Sequence, residues 1–492
     1  MPQAIRWEWL AFIVCYFVII AFLGFWGHRR TKSTADFYVA SRTLSAPIMI
    51  LYFSSGYVSA ATMVAFIGHG YAYGWAMLSY TGAACGIPIG FMLLHLIGPK
   101  LRRFGGYTTA DVCEARYYDK YIRGWVSIVY VFLMLEFTIL QFSGIGVILN
   151  TVVGIPYFWG VILVGLVVVL YTSFGGSFSV AWTDLLQAIL MLGGVFIAAP
   201  YLLSMVGGFS AMNAALAKIS GGPINVPKGA LVDPFAGGLI PPVLAITTTI
   251  GLGLATACQT YYHRMYYSCR DTSTVKAMIG VSSPILGVFF FCIGLIACAT
   301  RVIEPNLPKA DMAFPYVVST HLPPVIGAIA IGAILGAIMS STDAILLACG
   351  TNLTHDIFHH YIKPQASEEE LRRFAKIITL IIGIPPVFIA LHPPPMLIAL
   401  WAWFVAGLSG FIFIPLFGGL YWKRATREAA WISSIVGTVL AIGWTTAGNP
   451  YGIPALLITL PIALALFIGV SLVTKPPPKT AIEPFFSKTR TV

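Results

Sequence analysis

The stretch GAIMSSTDAIL, Gly336 to Leu346, places four oxygen-bearing side chains, Ser340 to Asp343, inside an apolar run from Val325 to Cys349. That run is long enough to cross a bilayer as a helix, where a charged side chain costs about 2.5–3.5 kcal/mol on insertion scales. Four polar side chains in such a segment therefore indicate a function. The simplest one is the binding of a cation.

The polar residues of this run share one helical face with two alanines. Ala337, Ser340, Ser341 and Ala344 lie on that face by the i, i+3, i+4 rule. The face offers two hydroxyls and any carbonyl freed from the helix, which suits a weakly held, hard monovalent ion. The alternative is that the hydroxyls bond back to their own helix and that Asp343 is a cap.

The composition identifies an integral membrane protein. Among 492 residues, 58% are hydrophobic and only 10% are charged, whereas soluble chains carry about 25% charged residues. We therefore predict an all-α integral membrane protein with about 13 transmembrane helices. The predicted spans are 8–27, 46–70, 75–97, 124–150, 156–174, 184–206, 240–262, 275–298, 325–349, 371–390, 395–420, 429–447 and 452–474.

The net charge of +11 is distributed as a topology signal. Of 29 Lys and Arg residues, 24 lie in alternate loops, at 29–42, 100–123, 264–276, 363–376 and 423–427, and in the tail from Lys475 to Arg490. The positive-inside rule then places the N-terminus outside and the C-terminus in the cytoplasm. The basic excess thus indicates a lipid bilayer, and no nucleic acid, as the partner.

Several other functional classes lack their motifs. No GxxxxGK[ST] stretch is present to bind ATP, so any active transport by this protein must take its energy from an ion gradient. No constellation of nucleophiles or metal ligands indicates an enzyme. The eight Cys residues show no CxxC spacing and are interpreted as core residues. His355, His359 and His360 are predicted to lie in a solvated cytoplasmic loop.

The second span is predicted to be broken at SSGYVSAAT, Ser54 to Thr62, because Gly and Ser weaken a helix and Ser can satisfy freed backbone groups. Carbonyls of Ser55, Val58 and Ala337 and the hydroxyls of Ser340 and Ser341 would together give a sodium ion about five oxygens. Close packing of small residues is the alternative for Gly56 alone.

Two further patterns predict local structure. TTADV, Thr108 to Val112, predicts the start of a short cytoplasmic helix. In LYTSFGGSFSVAWTDLLQ, Leu170 to Gln187, Gly175 and Gly176 predict a tight turn, with Thr183 and Asp184 as caps for the helix that follows.

This last stretch resembles a known signature. A Gly pair followed by WTD, with Gln187 shortly after, is similar to the signature of the sodium:solute symporter family. The resemblance extends over nearly the whole chain. It includes DFY (36–38), GIPY (154–157), IMSSTDAILL (338–347) and GLYWKRA (419–425), and looks closest to the pantothenate permease branch, with monocarboxylate, acetate and proline permeases further off.

The resemblance implies a LeuT-like fold, with a core of two inverted five-helix repeats. Span seven, which contains Pro241, Pro242, Gly251 and Gly253, would be the partner of the broken span two. The implied divisions are an extra helix and loop (1–45), the first repeat (46–206), an outer loop (207–239), the second repeat (240–420) and two extra helices with a tail (421–492).

The resemblance also implies binding residues. The family's main sodium site falls on the five residues nominated above, Ser55, Val58, Ala337, Ser340 and Ser341. A second cation site known in some members would use Asp184 with Ser340, but here Asp343 and Ala344 replace a hydroxyl pair, so that Asp343 either binds sodium or carries a proton. The solute would face Tyr57, Thr62, Thr81, Gln141, Gln259 and Trp403.

We therefore expect a symporter of the inner or plasma membrane, without enzymatic activity, that imports a small organic anion with sodium as the co-transported ion. Pantothenate or a short monocarboxylate is the expected solute, and no obligatory protein partner is evident. With no Arg or Lys in a predicted span, helix N-termini, hydroxyls and amides would hold the carboxylate. The alternatives are proton coupling through Asp343 and Glu136, and a transporter-like solute sensor.

Overall fold

The computed structural model describes residues 6–29, 31, 33–81, 86–394 and 396–486. Most of these residues lie in helices. Five residues used in the sequence analysis, Arg30, Lys32, Cys85, Lys488 and Arg490, lie outside these ranges. Across the described residues the extended backbone forms isolated bridges only, so the all-α prediction is confirmed.

Within the first half of the chain, the described residues form ten α-helices. They are α1 (Trp7–His28), α2 (Thr34–Val39), α3 (Ala46–Tyr57), α4 (Ile67–Tyr73), α5 (Ala76–Tyr80), α6 (Gly86–Phe104), α7 (Thr109–Tyr117), α8 (Lys120–Ile148), α9 (Tyr157–Met205) and α10 (Phe209–Leu216). A π-helix, Ala61–Phe66, leads into α4, and another, Leu149–Val153, extends α8.

In the second half, the residues that the structure describes form ten more. They are α11 (Pro242–Cys258), α12 (Thr260–Ser268), α13 (Thr272–Ile303), α14 (Ala313–His321), α15 (Pro324–Thr351), α16 (Glu368–Ile389), α17 (Ile398–Tyr421), α18 (Arg427–Thr446), α19 (Ala455–Val473) and α20 (Lys479–Phe486). The helix α15 packs along α9 and α8 in the centre of the molecule.

Every predicted span falls on one or more of these helices. Within the described residues, eight helices are long and apolar enough to cross a membrane, and two bent pairs bring the number to ten. Spans five and six are joined in α9, where Gly176 (φ 71°, ψ 179°) makes a kink at the predicted turn. The count of thirteen crossings and the repeat boundaries stay predictions.

Two of the spans are broken at mid-length. The pair Ala46–Tyr57 and Ala61–Tyr73 is bent by 56°, and the pair Pro242–Cys258 and Thr260–Ser268 by 43°. Val58 and Gln259 have extended backbone angles at these breaks. The break predicted in span two is confirmed. The break in span seven lies after the Gly and Pro residues of that span, so those residues do not indicate its position.

Two local predictions are wrong. Asp184 caps no helix, because it lies in the interior of α9 with both carboxylate oxygens buried and unpartnered. The three histidines do not lie in a loop, because α15 continues as a π-helix, Asn352–Ile362. The apolar pattern stops at Cys349, but Asp356 is buried against α7 and α8 and keeps the segment helical.

The predicted cytoplasmic helix after Thr108 is confirmed as α7. The Thr108 hydroxyl accepts from the Asp111 amide, and the Asp111 carboxylate accepts from the Thr108 amide, so the two residues form a capping box. At the other end of α7, the buried Arg116 donates to the carbonyls of Gly419 and Trp422, at 2.6 and 2.8 Å. Arg116 thereby satisfies the C-terminus of α17.

We expect Arg116→Gln to destabilise the protein by about 2 kcal/mol, because hydrogen bonds to a charged group contribute roughly 1.5–3 kcal/mol. Thermal unfolding of the purified protein in detergent measures this as a lower melting temperature. The control is Arg103→Gln, since Arg103 is exposed and bonds only one turn back, to the carbonyl of Pro99. Equal melting temperatures for both variants would contradict the capping role.

Candidate functional site

The hydroxyl of Ser340 joins α15 to the end of the broken span two. Its Oγ lies 3.1 Å from the carbonyl oxygen of Ser55 and 3.3 Å from that of Ala337. The carbonyl of Ser55 is free for this contact because it belongs to the last turn of α3. Three of the five predicted sodium ligands are therefore adjacent.

The other two predicted sodium ligands lie beside these three. Ser341 Oγ is 2.8 Å from the carbonyl oxygen of Ala337. Val58 is the residue at which α3 ends, and its extended backbone takes its carbonyl out of the helical ladder. All five residues are fully buried or nearly so. Hydroxyls and freed carbonyls in a dry site are a donor set that fits a hard monovalent cation.

Gln141 holds this arrangement from α8. Its Oε1 accepts from the backbone N–H of Ala60 at 2.9 Å and from Ser341 Oγ at 3.2 Å. One amide thus satisfies a donor freed by the helix break and also contacts the sodium-site face of α15. Its Nε2 is buried without a partner. The sequence placed Gln141 at the solute, but the structure places it between the two helices that carry the candidate cation site.

Asp343 faces α9, one turn beyond Ser340. Its carboxylate accepts from the hydroxyl of Tyr171 at 2.5 Å and from that of Thr172. Asp184, which belongs to the signature stretch, lies in α9 and interacts electrostatically with Asp343. Both acids are fully buried. The chain therefore concentrates two buried carboxyl groups where α9 and α15 pack together.

Arg264 supplies a buried cation that the sequence analysis assigned to a loop. It lies in α12 with 2% of its surface exposed. Its guanidinium donates to Ser177 Oγ and to the Tyr52 hydroxyl, both at 2.7 Å, and attracts Asp184 electrostatically. The prediction that the spans contain no Arg did not include Arg264, because the apolar run ends before α12 does.

A small cavity of about 30 Å³ lies where the two helix breaks meet. Its polar edge comes from Ser59, Thr62, Thr256 and Gln259, and its walls are aromatic. Those walls are formed by Tyr57, Phe66, Phe137, Tyr261, Tyr262, Phe290, Trp401 and Phe404. No Asp, Glu, Lys, Arg or His is among its described lining residues. Aromatic walls with a polar edge are typical of sites for small organic molecules, but this volume holds only a water or two, so the walls must move apart to admit a solute.

Three of the six residues predicted to face the solute line this cavity, namely Tyr57, Thr62 and Gln259. The other three do not. Thr81 bonds to the carbonyl of Met77 in its own turn, Gln141 is at the cation site, and Trp403 donates to Thr446 on α18. Trp401 lines the cavity in place of Trp403, a position that depends on the rotation of α17.

The cavity also receives the start of α12. Gln259 precedes this helix, its side chain does not cap it, and its Oε1 is buried without a partner. Only 6% of Gln259 is exposed. Free N–H groups at a helix N-terminus suit a carboxylate or another acceptor group, and the uncommitted Oε1 of Gln259 can accept from a hydroxyl or N–H of the same ligand.

The sequence model of the sodium:solute symporter family matches residues 37–437 of this chain. The sodium/pantothenate symporter of Escherichia coli (strain K12) is 28% identical over 411 residues, which cover 80% of this chain and 82% of that protein. The osmoregulated proline transporter OpuE of Bacillus subtilis (strain 168) is 25% identical over 484 residues, 96% of each chain.

Two solved structures share the fold. A Na⁺-coupled sialic acid symporter, in a substrate-bound outward-open state, superposes with a TM-score of 0.80 at 19% identity and covers 95% of this chain and 98% of its own. Mhp1, a nucleobase-cation-symport-1 transporter in a closed conformation, has a TM-score of 0.58 at 14% identity and covers 89% and 95%. The predicted LeuT-like fold is thereby confirmed.

We expect Ser340→Ala to raise the sodium concentration for half-saturation about tenfold, because the loss of one ligand at about 1.4 kcal/mol corresponds to that factor. The measurement is the sodium-dependent rise in melting temperature of the purified protein. Thr342→Val is the matched control, since the Thr342 hydroxyl bonds to Ile338 of its own helix. Unchanged sodium affinity in Ser340→Ala would contradict the site.

Proposed function

This chain belongs to the sodium:solute symporter family, and we propose that it couples inward sodium movement to the uptake of a small organic carboxylate. The observation that carries the proposal is the contact of Ser340 with the freed carbonyl of Ser55. This contact brings the oxygens proposed to bind the cation next to the broken segment that lines the proposed solute cavity. The chain is thus a transporter of the membrane, with sodium as the co-transported ion.

Coupling follows from residues that the two sites share. The break that supplies the carbonyls of Ser55 and Val58 also supplies Tyr57, Ser59 and Thr62 to the cavity wall. A sodium ion bound to those carbonyls would fix the break and so fix the wall. Because linkage is reciprocal, a solute that needs the same wall conformation raises the affinity for sodium.

The carboxylate end of the solute is assigned to the start of α12. The cavity has no cationic side chain among its described residues, so the negative charge would meet the free N–H groups at the start of α12 and the field of the sodium ion. The aromatic walls would hold the apolar body. The resemblance to two sodium/pantothenate symporters supports a carboxylate of this kind.

Proton coupling is the second candidate, and the position of Asp343 favours it. Its carboxylate is buried and bonded by two hydroxyls, which can hold either charge state. Glu136, the other acid of this alternative, has both carboxylate oxygens buried without a partner. A transporter-like solute sensor has no comparable observation in its favour.

We expect uptake of labelled pantothenate, or of lactate, acetate or pyruvate tested in parallel, into liposomes that contain the purified protein under an inward sodium gradient. Uptake should fall to background when potassium or choline replaces sodium, because the coupling cation is then absent. Proline, which carries a carboxylate but no net charge, serves as the zwitterionic comparison. Uptake that follows an imposed pH gradient and ignores sodium would instead assign coupling to Asp343.

A pair of tryptophan variants tests the solute cavity. We expect Trp401→Ala to raise the KM for the solute at least about tenfold, because a large buried aromatic wall is removed. Trp403→Ala should leave KM near that of the wild type, since Trp403 points to α18. Gln259→Leu should raise KM without changing the sodium requirement. Equal effects of the two tryptophan variants would place the solute elsewhere.

A further inference from the structure

We propose that Asp111, Glu114, Arg123, His355 and Asp356 form a pH-sensitive latch that holds α7 against α8 and the extension of α15. We call these five residues the inner latch. They lie on the predicted cytoplasmic face, remote from the cation site and the cavity. The consequence for transport rests on the function proposed above, whereas the latch itself can be tested without it.

One guanidinium ties three helices together. Arg123 of α8 lies 2.5 Å from Asp111 and 2.7 Å from Glu114, both of which belong to α7. The same side chain lies 2.9 Å from Asp356 in the extension of α15. Since the ion pairs are largely buried, they are screened far less than surface pairs. Movement of α7 away from α15 must break them.

Asp356 is the most deeply buried member of the inner latch. Besides Arg123, its carboxylate accepts from Thr108 Oγ1 at 2.9 Å and from Ser127 Oγ at 2.6 Å. None of its side chain is exposed. These donors come from the cap of α7 and from α8, so Asp356 anchors the helix extension to both elements.

His355 adds a titratable contact to the same interface. Its Nε2 lies 3.1 Å from Asp111 Oδ1, and 17% of its side chain is exposed. Its ring also contacts the ring of Tyr107 edge-on, with the centroids 5.0 Å apart. A proton on His355 therefore adds a charge-assisted bond between α7 and the extension of α15.

Charged and titratable groups surround His355 from every side. From α7 come Asp111 and Glu114, and from α8 comes Arg123. From its own helix come Asp356, His359 and His360, and Tyr38 and Tyr107 approach from the preceding segments. Among these described groups, Arg123 opposes protonation of His355, whereas Asp111 and Asp356 favour it.

His355 lies beyond the predicted span nine, in water-accessible surroundings. Burial disfavours the charged imidazole, but the hydrogen bond and charge of Asp111 outweigh it, so the pKa of His355 is raised above its usual value. The same pairing, with Arg123, holds the pKa of Asp111 well below its usual range although burial opposes this. The closed latch therefore binds the His355 proton more tightly than an open latch would.

The sign of the pH effect follows from this difference. The stabilisation of the closed latch is fully present below the ordinary pKa of His, about 6.5. It is lost as pH rises through the raised pKa of His355 in the closed latch. Acid on this face thus keeps α7 docked, and alkaline conditions release it.

The three groups Asp111, His355 and Asp356 also lie close enough to suggest a metal site, with candidate ligand atoms within 4.8 Å of one another. Arg123 rules this interpretation out. Its Nη2 lies within hydrogen-bond distance of both carboxylates, at 2.5 and 2.9 Å. The positive charge that would compensate these acids is therefore already provided by the chain.

A cavity of about 910 Å³ opens onto the inner latch. Asp111, Glu114, Arg123 and His355 line one side, and Thr480 and Ala481 of α20 line the other. Protons therefore reach His355 from this face. On the opposite side, the helix that carries His355 continues into α15, where Ser340 lies roughly 20 Å away along the axis. A shift of α15 at the cation site would therefore act on the inner latch through a continuous helix.

The buried thiol of Cys113 on α7 reports on the inner latch directly. The experiment measures the rate at which N-ethylmaleimide modifies Cys113, by peptide mass spectrometry, in the purified wild type, His355→Gln and His355→Lys. At pH 6 we expect Cys113 of His355→Gln to react at least about fivefold faster than that of the wild type, and at pH 8.5 we expect the two rates to converge. His355→Lys, charged throughout, stays slow at both pH values.

The control is His359→Gln, which should follow the wild type because His359 lies one turn away and makes no ion pair among those of the described chain. Because the variants are compared at the same pH, the effect of pH on the reactivity of the Cys113 thiol itself cancels in the ratio of rates. A ratio of His355→Gln to wild-type rates that does not change between pH 6 and 8.5 would overturn the proposal.

A transport measurement separates this proposal from the proposed function. In sodium-driven liposome uptake, the wild-type rate should fall at least about fivefold from pH 8 to pH 6, and His355→Gln should lose most of that dependence. Equal pH dependence in both proteins would contradict a latch that limits transport. Absence of sodium-driven uptake at every pH would reject the symport function, and the Cys113 result would still decide whether the latch exists.

Discussion

A helix that breaks inside a membrane leaves backbone groups without partners, and the rest of this structure depends on how they are satisfied. In hydrocarbon each unsatisfied group costs several kcal/mol, so a break persists only where neighbouring groups replace the lost hydrogen bonds. Ser340 donates to the freed carbonyl of Ser55, and Gln141 accepts from the freed N–H of Ala60. The groups that repair the break are also the groups that compose the candidate cation site.

The buried charges are subject to the same constraint, because each needs a partner inside the membrane. Asp184 and Asp343 are costly to ionise in a buried site, and Arg264 attracts Asp184 electrostatically without forming an ion pair with it. A further positive charge would stabilise the two acids. A monovalent cation or a proton could provide it, which explains why sodium and proton coupling are neighbouring solutions on one fold. Whether sodium or a proton is used depends on which of them binds beside Asp184 and Asp343.

The helix α15 connects two events that the transport cycle must keep in order. Its middle carries Ser340, Ser341 and Asp343, and its π-helical extension carries His355 and Asp356 at the predicted cytoplasmic face. A rigid element with a cation site at one level and an ion-pair network at another can relate the occupancy of the first to the opening of the second. Such coupling requires two discrete arrangements of packed side chains, which buried ion pairs favour.

The sequence by itself determined the features that depend on local pattern. Hydropathy gave the helices, the polar face of α15 gave Ser340 and Ser341, the Gly and Ser content gave the break in span two, and TTADV gave the start of α7. Only the tertiary structure decided which of Trp401 and Trp403 meets the cavity, that Asp184 is a buried acid and not a cap, and that Arg264 is its neighbour. These depend on how each helix is rotated and where two breaks meet, and such properties arise from contacts between residues far apart in the chain, which local periodicity does not encode.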